Sequence, residues 1–195
     1  MGRIWGISVV RLEEMELRTL ARLIADILKQ FDSEKPVHKG FQAGIGPFGE
    51  PQIVGEIAKR LTAKGIPART RRIPDLALAE EWAVEFKIVR PFGDNGREAE
   101  NWSVNLLHPY AGNVSLIGDA IKLAGLNEYR HKGVFVIGFE HDPAKISLDP
   151  LIQAFELVAR QVMKINLRER VEEKRPQLVH PVHQVLRCVG WELNH

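Results

Sequence analysis

Residues 73–89, IPDLALAEEWAVEFKIV, decide the fold. Two short apolar runs flank the acidic pair Glu80-Glu81, the pattern of a β-hairpin. Three charged residues, Asp75, Glu85 and Lys87, lie inside the runs. Burying unpaired charge is costly, so charge within strand-like sequence asks for a chemical reason. Strand side chains alternate between faces. Trp82, Val84, Phe86 and Ile88 therefore share one face and enter the core, while Ala83, Glu85, Lys87 and Val89 share the other. On the preceding strand Asp75, Ala77 and Ala79 share a face, and the small alanines leave room beside the aspartate. Asp75 joins Glu85 on one face only if the turn holds an odd number of residues or carries a bulge. A two-residue turn at Glu80-Glu81 pairs Asp75 with Phe86 instead and breaks up the group.

Outward toward the N-terminus, residues 68–72 read as a strand carrying Arg69, Arg71 and Arg72. With Lys59, Arg60 and Lys64 this is the most basic stretch of the chain. It is either a solvated face or a surface for phosphates. Glu50-Pro51 opens a helix reaching Lys64, with proline in the first turn and Gly65 past the end. Ile53, Val54, Ile57 and Leu61 form its apolar face. Glu50 falls near the middle of that face, so it either turns toward the sheet or satisfies the helix N-terminus. Residues 32–49 are loop-like and contain Gly44, Gly46 and Gly49 in a G-x-G-x-x-G pattern. A dinucleotide fingerprint follows a buried strand, and SEKPVHKGFQA contains no apolar run. The glycines fit a flexible loop beside an active site better. Residues 11–31 form an amphipathic helix, and residues 4–10 a short strand.

Toward the C-terminus, residues 90–112 are too long for a routine connection, with a short helix over 98–107. A helix follows over 114–124, closed by Gly125. The run GVFVIGF, residues 133–139, reads as a central strand buried on both faces. Asp149-Pro150 opens a helix to about residue 165. Residues 168–175 mix charge signs and read as solvated, and residues 182–193 contain a last strand. Helices interleaved with a mixed sheet predict an α/β three-layer sandwich. The expected organisation is one domain over residues 1–195, with residues 1–40 a helical N-terminal extension.

Composition sets outer bounds. The chain has 195 residues, 45% hydrophobic and 27% charged, with a net charge of +2. It can bury a core, and its charge argues against a polyanion coat while permitting a local basic surface. One cysteine, Cys188, suits a reducing, cytoplasmic setting. The start MGRIWGISVV lacks the features of a signal peptide, and no apolar run approaches the roughly 18 residues of a membrane span.

Two carboxylates on neighbouring strands suit a hard divalent ion such as Mg²⁺. Such an ion lowers the pKa of bound water and stabilises charge on a phosphate. A lysine beside them orients or helps deprotonate water and neutralises developing charge. Phosphodiester hydrolysis has these needs. The pattern Pro74-Asp75, nine residues, then Glu85-Phe86-Lys87 resembles the motif of the PD-(D/E)XK nuclease superfamily, with its restriction-endonuclease-like fold. The resemblance spans roughly residues 50–140, including the order of elements. It implies Asp75 and Glu85 as ligands for Mg²⁺, with Mn²⁺ as an alternative, and Lys87 as the catalytic lysine. Glu50 matches a first-helix acid that some members add to the metal site. Lys122 lies on the helix after the motif, where many members place a polar residue near substrate.

The leading expectation is a divalent-metal-dependent nuclease acting on DNA, contacting it through Arg69, Arg71, Arg72 and Lys122, and working as a homodimer. The alternative is a non-catalytic nucleic-acid-binding or assembly protein that retains the nuclease fold. A nucleotide-binding enzyme built on the glycine loop requires a buried strand ending near Ala43. Among other residues, His180 and His183 of HPVH are expected at the surface, and His108 lies in the long loop. Trp102 is either buried or stacks on a base. Cys188 is expected to be packed, and no G-x-S-x-G nucleophile elbow is present.

Overall fold

The computed structural model describes residues 12–108 and 115–194; the strand expected over residues 4–10 lies outside them. The hairpin forms as β2 (Leu76–Leu78) and β3 (Trp82–Val89). It belongs to a sheet that also contains β1 (Ala68–Thr70), β4 (His131–Glu140), β5 (Val171–Arg175) and β6 (Val185–Glu192). The order is β1-β2-β3-β4-β6-β5. Only the β3–β4 pair is parallel among these; the other neighbours run antiparallel. The sheet is therefore open and mixed.

Helices cover both faces. On one lie α1 (Leu17–Ser33) and α2 (Glu50–Ala63). Their Leu20, Ile24, Leu28, Ile53 and Ile57 pack against Trp82, Val84, Phe86, Phe135 and Ile137. Helix α1, placed in an N-terminal extension on sequence, lies directly on the sheet with these residues fully buried. Trp82 keeps its indole N–H satisfied by donating to the Met15 carbonyl at 3.1 Å. On the opposite face lie α4 (Leu116–Ala124) and α5 (Asp149–Leu157). Here Ile117, Ala120, Ile152 and Phe155 pack on Ala83, Val134, Val136 and Trp191. Each large apolar side chain buried in this way contributes roughly 1.5–3 kcal/mol. The Ser115 hydroxyl accepts from the Gly118 N–H at 3.2 Å and caps α4. Strand β4 is buried between β3 and β6, as its unbroken apolar run requires.

Several expectations change. The basic strand stops at Thr70, short of residue 72. The helix expected over residues 98–107 shrinks to α3 (Val104–Leu107), and Phe92 bridges to Glu98 ahead of it. The last helix changes to a π-turn over Val158–Val162 before residue 165. Residues 168–175, expected to be solvated, contain edge strand β5. Charge did not exclude a strand there, because its backbone pairs with β6 while its half-buried charges find partners: Glu172 pairs with Arg187, and Arg175 with Asp26 and Glu173.

Several charges on the sheet are buried, and the most deeply buried among the described residues lies on β6. Arg187 of β6 is 2% exposed. Its guanidinium donates to Glu172 at 2.7 Å, Glu140 at 3.2 Å and Asp149 at 2.6 Å. Removing it leaves the buried Glu140 carboxylate without its cation. Arg187→Ala is expected to lower unfolding free energy by about 3–5 kcal/mol. Urea denaturation measures this; a change under about 1 kcal/mol contradicts a structural role for the network.

Candidate active site

The β2–β3 register is Leu78 with Trp82, Ala77 with Ala83 and Leu76 with Val84. The turn therefore holds three residues, Ala79, Glu80 and Glu81, with Ala79 at φ +47°. An odd turn brings Asp75 opposite Glu85, the geometry that a two-residue turn forbids. The ladder ends at Leu76–Val84. Beyond that point β3 presents backbone N–H groups on a side its neighbour has left. Carboxylates take them: Asp75 Oδ2 accepts from Phe86 N at 2.9 Å, and Glu50 Oε2 accepts from Ile88 N at 3.3 Å. Buried N–H groups must find acceptors, so the parting of the strands fixes where both acids sit.

Glu85 and Lys87 occupy the same face of β3 and are 4% and 8% exposed. Lys87 Nζ lies 3.2 Å from Glu50 Oε1 and 3.1 Å from Asp119 Oδ2. Burial opposes its charge, but Glu50 and Asp119 outweigh that cost and hold the amine above its usual pKa. Glu85 behaves in the opposite way. Its Oε1 is buried without a hydrogen-bond partner among the described residues. Burial, followed by the neighbouring Asp75 carboxylate acting both as a charge and as a hydrogen-bond partner, pushes Glu85 up to about 9. Burial also raises Glu50, with Lys87 pulling the other way. Glu50 and Asp119 thus flank the buried ammonium, and Glu85 beside it meets the Asp75 carboxylate.

Two cavities meet at Glu50. One, of about 290 Å³, runs beside Asp75 and is lined by Thr70, Arg71 and Arg72. The other, of about 560 Å³, opens past Ile88 and is lined by Arg90, Phe92 and Trp102. A larger cavity of about 600 Å³ lies at the Trp82 end of β3, away from the carboxylates.

The structure thus gathers Asp75, Glu85, Lys87 and Glu50. Arg71 and Arg72 flank them, and Arg71 also donates to the Tyr129 hydroxyl at 3.2 Å. Arg69 is exposed on β1 and lines a separate cavity with Thr62 and Glu80. Lys122 reaches the group through Asp119, at 2.8 Å. Asp119 itself was not anticipated. It is an acid in the first turn of a helix whose only other charge is Lys122, and that is its signal in the sequence. Trp102 is half-buried on the cavity wall. Cys188 is buried, and burial raises its thiol pKa.

His180 and His183 are not at the surface; both are buried and stacked, with ring centroids 4.7 Å apart. His180 Nδ1 accepts from the Val182 and His183 N–H groups at 3.2 and 3.3 Å. His183 Nε2 lies 2.9 Å from Asp94 Oδ1, and burial foremost lowers its pKa to about 4. The glycine loop packs on this pair. A Cβ at Gly46 would come within 2.2 Å of His183 Cδ2, and Gly44 has φ +117°. Asp32 clamps both segments, accepting from Ile45 N at 3.0 Å and Val179 N at 2.7 Å. No strand occurs among the described residues 34–49, so the condition set for a dinucleotide site is not met. The glycines serve a close approach that delivers the start of α2, and with it Glu50.

Among the described residues no group of three or more His, Cys, Asp or Glu side chains is arranged to hold a metal ion. The donor chemistry nevertheless fits a hard cation: Glu85 Oε1 is orphaned, and a second carboxylate beside it raises the pKa that a cation would lower. Comparison with protein-family models, curated proteins and solved structures returned no match.

Glu85 generates a pH test. A folded pKa raised from 4.5 to about 9 means its contribution to stability is fully present below pH 4.5 and is lost as pH rises toward 9. Glu85→Gln cannot ionise. Without divalent ions its unfolding free energy is expected to match wild type near pH 4 and to exceed it by about 1–3 kcal/mol near pH 8. A difference that stays constant across pH contradicts the buried protonated carboxyl.

Proposed function

We propose that this chain is a divalent-metal-dependent nuclease of the PD-(D/E)XK type, with a restriction-endonuclease-like arrangement, that hydrolyses phosphodiester bonds in DNA. The observation that carries the proposal is the three-residue turn, which aligns Asp75 with Glu85 beside Lys87. Mg²⁺, or Mn²⁺ in its place, would be held by Asp75 and Glu85 with Glu50 close by. When bound, the ion would acidify water and stabilise charge on the phosphate. Glu85 would have to give up its proton to hold the ion, so binding would tighten as pH rises. Lys87 is held as an ammonium between Glu50 and Asp119. It therefore acts as a fixed positive charge that orients the attacking water and steadies the phosphorane-like transition state, rather than as a base. Asp119 positions Lys87 and Lys122. Arg71 and Arg72 contact backbone phosphates along the adjoining cavity, with Arg69 further out on β1. One such site per chain cuts one strand, so cleavage of a duplex calls for a homodimer. A reducing cytoplasm suits the single buried cysteine. No helix among the described residues is long and apolar enough to cross a membrane.

One observation favours a non-catalytic role on the same scaffold. Lys87 is already neutralised by two carboxylates, a self-contained network that needs no ion. Calorimetric titration with Mn²⁺ separates the two, because a retained scaffold has no need to bind it.

The direct test is cleavage of DNA with Mg²⁺. Asp75→Asn and Lys87→Met are each expected to slow cutting on the order of 10²–10³-fold. Variants that cut like wild type overturn the assignment.

A further inference from the structure

The cavity beyond Ile88 is not used by the hydrolysis described above, yet it shares Glu50 with the carboxylate group. Its volume, about 560 Å³, is that of a small-molecule site, within the ~300–1,000 Å³ such sites span. Its walls have a mixed chemistry. Phe92 and Trp102 supply aromatic surface, and Asn101 and Asn105 supply exposed amides. Arg90 adds a guanidinium that lies over the Phe139 ring, bonds the Phe48 carbonyl and leaves a buried Nε without a partner among the described residues. Asp94, Glu50 and Glu100 outnumber that one cation. A wall with excess negative charge repels phosphate. It suits a group with a flat apolar face and N–H donors on its edge.

We propose that this cavity receives an unpaired nucleobase of the substrate, stacked on Trp102, next to the phosphate held at the carboxylates. The inference rests on the nuclease reading and narrows its substrate class to DNA with a single-stranded segment at the cut. Bases in a continuous duplex are stacked on their neighbours and cannot enter such a pocket without being extruded. Aromatic stacking accepts any base, and the amides add edge hydrogen bonds. The wall is held in place from behind. Asp94, which lines it, is bonded to the buried His183, and His183 is wedged against Gly46. The basic cavity at Arg71 and Arg72 lies on the other side of Glu50. A strand would run from phosphate contacts, across the carboxylates, into a base pocket.

The test measures binding by fluorescence anisotropy with Ca²⁺ in place of Mg²⁺, comparing a blunt duplex with the same duplex carrying an unpaired overhang. Wild type is expected to prefer the overhang. Trp102→Ala is expected to weaken that binding roughly 5–100-fold, with the blunt duplex little changed, and Trp102→Phe to restore it. In parallel, 2-aminopurine in the overhang reports on wild type alone, independent of whether any variant folds. Its fluorescence is expected to be quenched on binding. Equal affinity for both DNAs, or unquenched 2-aminopurine, overturns the pocket. Cleavage with Mg²⁺ separates the two claims. Cutting without overhang preference sinks the base pocket and leaves the nuclease standing. Overhang preference with no cutting does the reverse. Binding to neither DNA sinks both.

Discussion

The structure turns on two backbone N–H groups, those of Phe86 and Ile88. Strand β2 pairs with β3 only as far as Leu76–Val84, and the N–H groups beyond need acceptors. Asp75 and Glu50 provide them. The need is met by side chains rather than by another strand, so carboxylates are brought to a place where β3 also presents Glu85 and Lys87. A longer β2 would have satisfied the same donors with carbonyls and left no acid there. Local hydrogen-bond satisfaction and the gathering of charge are thus one event.

The charge is uneven, and the proposed chemistry rests on that unevenness. Lys87 has two carboxylates within 3.2 Å and keeps its proton. Glu85 has an orphaned oxygen and a carboxylate neighbour, and holds a proton it would shed for a cation. A group whose charges all paired would be rigid and finished. This one is compensated around the lysine and incomplete around Glu85. Asp75, the carboxylate beside Glu85, lines the cavity that Arg71 and Arg72 make basic.

Much of this is legible in the sequence. Alternation along residues 82–89 gives the faces of β3, because Trp82, Val84, Phe86 and Ile88 all fall at even positions, although both faces are buried. The helix beginning at Glu50 was marked by Pro51. The turn parity was not legible. Ala79-Glu80-Glu81 lacks the Asn-Gly or Asp-Gly signal that sets a hairpin loop, so Asp75 had two possible faces. Asp119 was passed over for Lys122 because helical periodicity says which residues turn inward but not which of them meets a lysine on a distant strand. The glycine loop and the HPVH segment were read as separate short motifs. Their meaning is tertiary: Gly46 leaves space for His183, and Asp32 ties both segments together. Strand β5 is hidden by its charges: every residue after Val171 is charged, and the partners that let them be half-buried lie on other elements, Arg187 on β6 and Asp26 on α1.

The account's central claim is that Asp75 and Glu85 together hold a divalent cation. Crystals soaked in Mn²⁺ and measured at the manganese absorption edge test it most directly. The account predicts an anomalous peak shared by the Asp75 and Glu85 carboxylates, with Lys87 still between Glu50 and Asp119. A map with no peak there, or with manganese only at other carboxylates, would contradict it.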